Sequence, residues 1–204
     1  MDLDNRVALV TGGGRGIGRA IALALARAGA HLTVCSRTEE EIKEVAARIE
    51  SICSQSALAI SVNVTSRPSI EDAVNQTVDR FGHLDVLVNN AGRTDKQHRN
   101  IENLPHQVWK KIIAVNLNGT FYSSQVVLPI LYRQGEGNII NITSLLGQCG
   151  QACAGEPAYS ASKFGIEGLS EVMAQEARPQ GINVNTLYPA TKVDTGFFDH
   201  LDPD

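Results

Sequence analysis

The chain has 204 residues and a formal net charge of -4, with 43% of the residues hydrophobic and 20% charged. These totals are typical of a globular protein of about one domain, so we treat residues 1–204 as a single domain. Because a chain with a small negative charge has no excess of basic side chains for phosphate backbones, we expect no nucleic-acid partner.

The amino terminus and the apolar runs indicate neither secretion nor a membrane span. The opening MDLDNRVALV is acidic before an apolar run that is too short for a signal-peptide core. The longest later apolar stretch, VVLPILY, is far shorter than a bilayer-spanning helix and contains Pro129. We therefore expect a cytoplasmic protein with no membrane association.

The four cysteines predict neither a disulfide scaffold nor a metal site. They are few and scattered, as expected of thiols in a reducing compartment. Cys149 and Cys153 are close in sequence, yet no third and fourth ligand follows at the spacing of a zinc site. We expect no bound metal.

Short apolar or β-branched runs alternate with amphipathic stretches along the whole chain. Strands are predicted at 7–10, 31–35, 57–62, 84–88, 138–142 and 182–187. Helices are predicted at 17–28, 39–51, 69–81, 105–132 (as two helices) and 158–178. The strands are near-continuous apolar runs, as in a parallel sheet covered on both faces. The alternation predicts an α/β fold with a doubly wound parallel sheet.

A glycine-rich turn joins the first predicted strand to the first predicted helix in VALVTGGGRGIGRAIALALARAGA. Gly12, Gly16 and Gly18 allow a close backbone approach to a ligand, and the helix N-terminus offers N–H groups to a pyrophosphate. The spacing differs from GxGxxG, and no Gly-Lys-Ser/Thr of a P-loop follows. Because ligands bind at the carboxyl ends of strands in such sheets, the turn predicts a dinucleotide site.

The residues after the second predicted strand indicate which dinucleotide binds. A carboxylate there would bind a ribose hydroxyl and repel a 2′-phosphate, whereas an arginine accommodates the phosphate. The sequence reads VCSRTEEE, in which Arg37 comes first and Glu39 is assigned to the next helix. Together with Arg15 in the turn, Arg37 favours NADP(H). The alternative is that both arginines are ordinary solvated surface residues.

Tyr159 and Lys163 are four residues apart in AYSASKF, so on a helix they share one face. A free tyrosine has a pKa of about 10 and is a poor base at pH 7. An ammonium at about 5 Å, with an effective dielectric constant of about 20, favours the phenolate by roughly 3 kcal/mol, or about two pKa units. The pair predicts that Tyr159 transfers a proton with a pKa shifted toward neutrality. The alternative is two unrelated surface side chains.

Two upstream features support the catalytic interpretation. The predicted strand in NIINITS carries Ser144 just past its carboxyl end, where a hydroxyl could bind the same substrate oxygen as Tyr159. AVNLNG places Asn116 inside a predicted helix, where an amide lowers helix propensity unless it has a structural or solvent-relay role.

Five motifs together resemble the short-chain dehydrogenase/reductase family, most closely members of the 3-oxoacyl-carrier-protein reductase and carbonyl reductase type. They are TGGGRGIG (11–18), NNAG (89–92), VNLNG (115–119), ITS ending at Ser144, and YSASK (159–163). The resemblance implies a Rossmann-like sheet of strand order 3-2-1-4-5-6. It also implies a catalytic tetrad in which Tyr159 is the acid/base, Ser144 orients the substrate, Lys163 holds the nicotinamide ribose and Asn116 keeps a water for proton relay.

The same resemblance implies that Asn90, Ala91 and Gly92 line the cofactor after the fourth strand and that Asn63 and Val64 flank the adenine. With the glycine turn and the arginines, the predicted cofactor-binding residues are Gly12, Arg15, Gly16, Ile17, Gly18, Arg37, Asn63, Val64, Asn90, Ala91, Gly92, Tyr159, Lys163 and Pro189. Asn63 stands where the family usually has aspartate, and its carbonyl is expected to accept a hydrogen bond from adenine.

The carboxyl-terminal part departs from the family pattern. Members usually continue with another helix and a final strand, whereas this chain stops at DHLDPD. We expect the last strand to be lacking and the strand at 182–187 to form the sheet edge.

The resulting prediction is an NADP(H)-dependent oxidoreductase that interconverts a small-molecule carbonyl, such as a 3-oxoacyl thioester or another ketone, and a secondary alcohol. The alternative is a non-catalytic NADP(H)-binding regulatory protein or a truncated family member. The helices at 116–132 and 158–178 resemble the family's dimer interface, which predicts a homodimer, with a tetramer as the alternative.

Overall fold

The protein forms one parallel sheet of six strands between two layers of helices, as seen in a computed structural model that describes residues 3–95, 97, 99–148, 152 and 154–189. The strands run in the order β3-β2-β1-β4-β5-β6, which confirms the predicted doubly wound fold. Their bounds are β1 Val7–Thr11, β2 His31–Ser36, β3 Ala57–Ser61, β4 Val86–Asn89, β5 Gly137–Ile142 and β6 Ile182–Leu187.

Helices connect the successive strands. Their bounds are α1 Gly16–Arg27, α2 Glu39–Cys53, α3 Arg67–Phe81, α4 His106–Ile113, α5 Gly119–Gln134 and α6 Pro157–Ala177. The region predicted as two helices at 105–132 is continuous, because a π-helical turn at Ala114–Asn118 joins α4 directly to α5. Single 3₁₀ turns lie at Ile101–Asn103, Leu145–Gly147 and Arg178–Gln180.

The hydrophobic core lies on both faces of the sheet. Successive side chains of a strand point to opposite faces, so Val7 and Leu9 pack in one apolar cluster and Ala8 and Val10 in the other. All five residues of β1 are buried. This two-sided burial explains why the strands are continuous apolar runs and places the carboxyl ends of β1, β4 and β5 side by side.

Within the described residues, β6 is at one edge of the sheet, as predicted, and pairs only with β5. Its first residue, Ile182, is buried, and the residues after it alternate between exposed and half-buried positions. Residues 190–204 lie outside the described part of the chain. None of the helices that are described combines the length and apolarity needed to cross a bilayer.

Candidate active site

The turn between β1 and α1 is built from glycines that no other residue could replace without strain. Gly12 has a φ of 63°, and a Cβ added there would lie 2.9 Å from the Cα atom of Ala91. A Cβ on Gly18 would collide with the carbonyl oxygen of Gly12. The glycines thus let the turn pack against the segment that follows β4.

The amino terminus of α1 has the character of a phosphate site. No side chain caps this helix, and its first turn contains no acidic residue. Gly16, Ile17 and Gly18 at this end line the cleft described below. Uncapped N–H groups and a positive helix end suit the pyrophosphate of a dinucleotide, so these residues fit the predicted cofactor.

Thr11 and Asn90 hold the glycine turn in place. Asn90 donates through Nδ2 to the carbonyl oxygens of Thr11 and Gly12, at 3.0 and 3.1 Å. The Oγ1 atom of Thr11 accepts hydrogen bonds from the backbone N–H groups of Asn90 and Ala91, at 3.0 and 3.1 Å. The side chain of Asn90 therefore supports the turn, and sequence reasoning missed this use of Thr11 within the same motif.

One cleft at the carboxyl ends of the strands contains nearly all of the residues predicted to form the site. Ser144 lines it, and so does every predicted cofactor-binding residue, namely Gly12, Arg15, Gly16, Ile17, Gly18, Arg37, Asn63, Val64, Asn90, Ala91, Gly92, Tyr159, Lys163 and Pro189. Asn116, the remaining predicted residue, is fully buried behind the cleft.

Charged groups of both signs line the cleft near the end of β2. Arg15 and Arg37 are both present, as the NADP(H) prediction requires. Glu39 begins α2, as predicted, and forms an ion pair of 2.6 Å with Lys43. Glu41, which sequence reasoning did not consider, also lines the cleft. Its carboxylate is a competing negative charge at this end.

The side chain of Asn63 makes local hydrogen bonds. Its Oδ1 atom accepts hydrogen bonds from the backbone N–H of Thr65 at 3.1 Å and from the Thr65 hydroxyl at 2.9 Å. A carbonyl oxygen has two lone pairs, so both are occupied by this local turn. Asn63 lines the cleft, so a contact between this carbonyl and adenine stays a prediction, and the contact would replace or share one of these two hydrogen bonds.

Ser144 and Tyr159 meet in the cleft, as the motifs predicted. Ser144 lies just past the end of β5, where its Oγ atom accepts from the N–H of Leu146 at 3.2 Å. Tyr159 lies in the first turn of α6 and is 5% exposed. A side-chain hydrogen bond joins the two residues. Both hydroxyls can therefore reach a single substrate oxygen.

Lys163 lies one helical turn after Tyr159 and is 4% exposed. Its Nζ atom donates a hydrogen bond of 2.8 Å to the carbonyl oxygen of Ile142. The same atom is 5.5 Å from the centre of the Tyr159 ring. Lys163 is thus anchored to the end of β5 with its charge over the ring of the tyrosine, and the two residues share one helix face as predicted.

The predicted shift of the Tyr159 pKa toward neutrality is wrong for this form of the protein. Burial raises the pKa of Tyr159 to about 12, although the hydrogen bond with Ser144 lowers it, and the charge of Glu156 raises it further. Burial also lowers the pKa of Lys163 to about 8, against a raising contribution from Glu167. Loss of solvation in the cleft is the largest cause of both pKa shifts.

Asn116 lies in the π-helical turn between α4 and α5, not in a regular helix. Its Oδ1 atom accepts from the N–H of Arg93 at 2.9 Å, and its Nδ2 atom donates to the carbonyl oxygen of Arg93 at 3.0 Å. Nδ2 also donates to the Ser162 hydroxyl at 2.9 Å, which in turn donates to the carbonyl oxygen of Tyr159 at 2.7 Å. The amide therefore ties the segment after β4 to α6.

Sequence reasoning missed two further groups beside the site. Arg93 lines the cleft. A charged residue directly after the NNAG motif is the sequence feature from which this position could have been predicted. Glu156 is 1% exposed at the start of α6 and accepts a hydrogen bond from the Thr94 hydroxyl. The described residues contain no group of three histidine, cysteine, aspartate or glutamate side chains that could hold a metal ion, and Cys149 and Cys153 lie outside them.

Comparison with known proteins gives a consistent result. A sequence model of the short chain dehydrogenase family matches residues 6–204. The chain is 38% identical over 191 residues to the 3-oxoacyl-(acyl-carrier-protein) reductase FabG of Staphylococcus epidermidis, covering 91% of this chain and 74% of that relative. It is 37% identical over 185 residues to D-beta-hydroxybutyrate dehydrogenase of Rhizobium meliloti, covering 90% of this chain and 70% of that relative.

Solved structures show the same relationship. A short-chain type dehydrogenase/reductase from Mycobacterium marinum superposes with a TM-score of 0.91 at 30% identity, over 97% of this chain and 77% of that one. A second match is a putative short-chain alcohol dehydrogenase from Sinorhizobium meliloti, with a TM-score of 0.86 at 36% identity, over 92% of this chain and 73% of that one. In sequence, in fold and in the motifs that line its cleft, the chain belongs to the short-chain dehydrogenase/reductase family of oxidoreductases.

Proposed function

We propose that this oxidoreductase interconverts a ketone and a secondary alcohol with NADP(H), and that Tyr159 is its general acid and base. The observation that carries the proposal is the hydrogen bond between Ser144 and Tyr159 inside a cleft whose other end is an uncapped helix N-terminus. A bound nicotinamide supplies the hydride to the substrate carbon in reduction and accepts it in oxidation.

Each catalytic side chain has a separate task in the proposed reaction. In reduction, Ser144 orients the substrate oxygen and Tyr159 donates a proton to it. With a pKa raised to about 12, the phenol of Tyr159 is protonated at neutral pH and ready to donate. Lys163 uses one of its three N–H donors on Ile142, so two donors remain for ribose hydroxyl groups. Asn116 acts as a positioning residue, because its amide ties the backbone beside the cleft to α6.

The preference for NADP(H) is proposed from charge. Arg15 and Arg37 line the end of the cleft next to β2, where the extra phosphate of NADP(H) would lie, and arginine forms charge-assisted hydrogen bonds with phosphate. Glu41 opposes this preference by repulsion, yet two positive groups against one negative group leave a net attraction.

The substrate class is proposed from the relatives. Their names refer to a 3-oxoacyl group and to a beta-hydroxy acid, which are the oxidised and reduced forms of the same position on an acyl chain. We therefore propose a 3-oxoacyl thioester or a related ketone as the substrate. The proposed location of this reaction is the cytoplasm.

The proposed assembly is a homodimer formed by α5 and α6, with a tetramer as the alternative. Phe121 on α5 and Phe164 and Val172 on α6 are 40%, 41% and 52% exposed. Large apolar side chains on adjacent helices are typical of an interface that is covered by a second subunit.

The proposed function is tested with the Tyr159→Phe variant. We expect the variant to bind NADPH as the wild type does and to lose at least about a hundredfold in kcat, because proton transfer by a positioned group contributes that much or more. NADPH fluorescence measures binding, and the absorbance of NADPH with a panel of 3-oxoacyl esters and ketones measures turnover. A fully active variant would exclude the mechanism. Wild-type protein that binds NADPH and reduces no compound of the panel would favour a non-catalytic regulatory protein.

A further inference from the structure

We propose that Arg93 forms a subsite for an anionic group, either a carboxylate or a phosphate, of a molecule held in the cleft. Arg93 lines the same cleft as Ser144 and Tyr159. The subsite deepens the proposed oxidoreductase function and rests on it. It assigns a specificity-determining role to a residue outside the predicted tetrad.

The backbone of Arg93 is held at both of its polar atoms. Its N–H donates to Oδ1 of Asn116 at 2.9 Å, and its carbonyl oxygen accepts from Nδ2 of Asn116 at 3.0 Å. Two residues earlier, the N–H of Ala91 donates to Thr11 at 3.1 Å. Because the backbone is fixed in this way, the side chain of Arg93 leaves it in a defined direction, as a binding residue requires.

Arg93 is half-buried, and within its guanidinium the Nε atom is buried and makes no hydrogen bond to the described part of the chain. A buried N–H donor without an acceptor is unfavourable, and a ligand that supplies the acceptor removes this cost.

Two acidic residues, one close to Arg93 in sequence and one at the start of α6, have hydrogen-bond partners other than Arg93. Asp95 forms hydrogen bonds of 2.8 and 3.1 Å with Arg99. Glu156 accepts the hydroxyl hydrogen of Thr94. Neither of these hydrogen bonds involves Arg93, and its Nε atom remains available to a ligand.

The chemistry of the guanidinium selects an anion. Its planar fork of N–H donors matches the two oxygens of a carboxylate or phosphate. The cleft offers two sources for such a group, the dinucleotide and the substrate. Asn116 links Arg93 to Ser162, the residue that immediately precedes Lys163, so Arg93 belongs to the catalytic end of the cleft. This position favours an anionic group on the substrate.

The test uses the Arg93→Gln and Arg93→Lys variants with two matched ligands, acetoacetate and methyl acetoacetate. Isothermal titration calorimetry in the presence of NADP⁺ measures the Kd of each ligand, and steady-state kinetics measure KM. We expect Arg93→Gln to raise the Kd of acetoacetate about tenfold to a hundredfold, as for a lost charge-assisted hydrogen bond. The Kd of the neutral ester should change less than about threefold. Arg93→Lys should restore part of the affinity, because it keeps the charge without the fork.

The control is Arg48→Gln, which removes an exposed arginine from α2. It should leave the Kd values of both ligands unchanged. If Arg93→Gln instead raises the Kd of NADPH and leaves the ratio of the Kd values for acetoacetate and methyl acetoacetate unchanged, the anion recognised is the dinucleotide phosphate. Unchanged Kd values for NADPH and for both ligands in both Arg93 variants would overturn the proposal. Because calorimetry needs no turnover, wild-type protein that binds acetoacetate through Arg93 and reduces nothing would refute the proposed reaction and keep the subsite.

Discussion

Lys163 holds its Nζ atom 5.5 Å from the centre of the Tyr159 ring. The same atom donates to the carbonyl oxygen of Ile142 at 2.8 Å, so the ammonium is held at the end of β5. Burial is the largest cause of both pKa shifts: it raises the pKa of Tyr159 and lowers that of Lys163. Several consequences for pH and stability can be measured.

The two directions of the proposed reaction should respond differently to pH. A Tyr159 pKa raised to about 12 keeps the phenol protonated, so ketone reduction should retain its proton donor from neutral to mildly alkaline pH. Alcohol oxidation needs the phenolate, and its kcat should rise with pH up to tenfold per unit for a single titrating group, until the pKa is approached. Stopped-flow or steady-state pH profiles in both directions check this. A kcat for alcohol oxidation that does not change between pH 7 and 10 would contradict it.

Lys163 should make stability depend on pH in a defined window. Its pKa is lowered from 10.5 to about 8 on folding, so between these values the unfolded chain binds more protons. The free energy of unfolding should therefore rise with pH in that window, by at most about 1.4 kcal/mol per unit. Urea unfolding at pH 8, 9 and 10 should show this rise in the wild type and a smaller one in Lys163→Met. The exposed Lys110→Met variant is the control. If the free energy of unfolding rises equally with pH in all three proteins, Lys163 is not the source of the pH dependence.

Arg37→Asp should shift the cofactor preference from NADPH toward NADH. The change removes an attractive charge and adds a repulsive one, and a charge-assisted hydrogen bond alone is worth about 1.5–3 kcal/mol, or at least about tenfold in the ratio of kcat/KM values. Glu41→Gln should move the ratio the opposite way, because it removes the opposing carboxylate that lines the same cleft. Arg48→Asp serves as a control for surface charge. An unchanged ratio in Arg37→Asp would discard the assignment of the phosphate site.

Asn116→Ala should destabilise the fold more than the neighbouring Asn118→Ala does. Asn116 is fully buried and satisfies both backbone polar groups of Arg93, so its loss leaves buried groups unpaired, at about 1–3 kcal/mol. Asn118 is an exposed residue of the same π-helical turn, and its replacement should change stability by less than about 0.5 kcal/mol. Urea unfolding of both variants measures the difference, and equal values would show that the amide of Asn116 has no positioning role.

Phe164→Glu should dissociate the proposed dimer. The side chain is 41% exposed on α6, and a charge placed in an apolar interface is unfavourable without a partner. Ile52→Glu is the matched control, since Ile52 is 52% exposed on α2, away from α5 and α6. Light scattering at micromolar concentration should give a dimer for wild type and control and a monomer for Phe164→Glu. A monomeric wild type would exclude the dimer.

Features that depend on short-range pattern were predictable from the sequence. The strand and helix segments followed from apolar runs and periodicity, and β6 was predicted with its observed ends. In a parallel sheet the carboxyl ends of neighbouring strands lie together, so residues from the glycine turn, the segment after β4 and the end of β5 converge on one cleft. That convergence explains why the predicted cofactor residues could be chosen from separate motifs.

Only the tertiary structure decided how these side chains are solvated and which partners they have. The pKa of Tyr159 was predicted to fall from the spacing to Lys163, yet burial by residues distant in sequence raises it. Asn116 was recognised as unusual for a helix, but its bonds to Arg93 and Ser162 required the segment after β4 and α6 to meet. Glu41 and Arg93 enter the cleft for the same reason. Sequence spacing determines which groups can be neighbours along one element, whereas desolvation and hydrogen-bond pairing depend on every element packed around them.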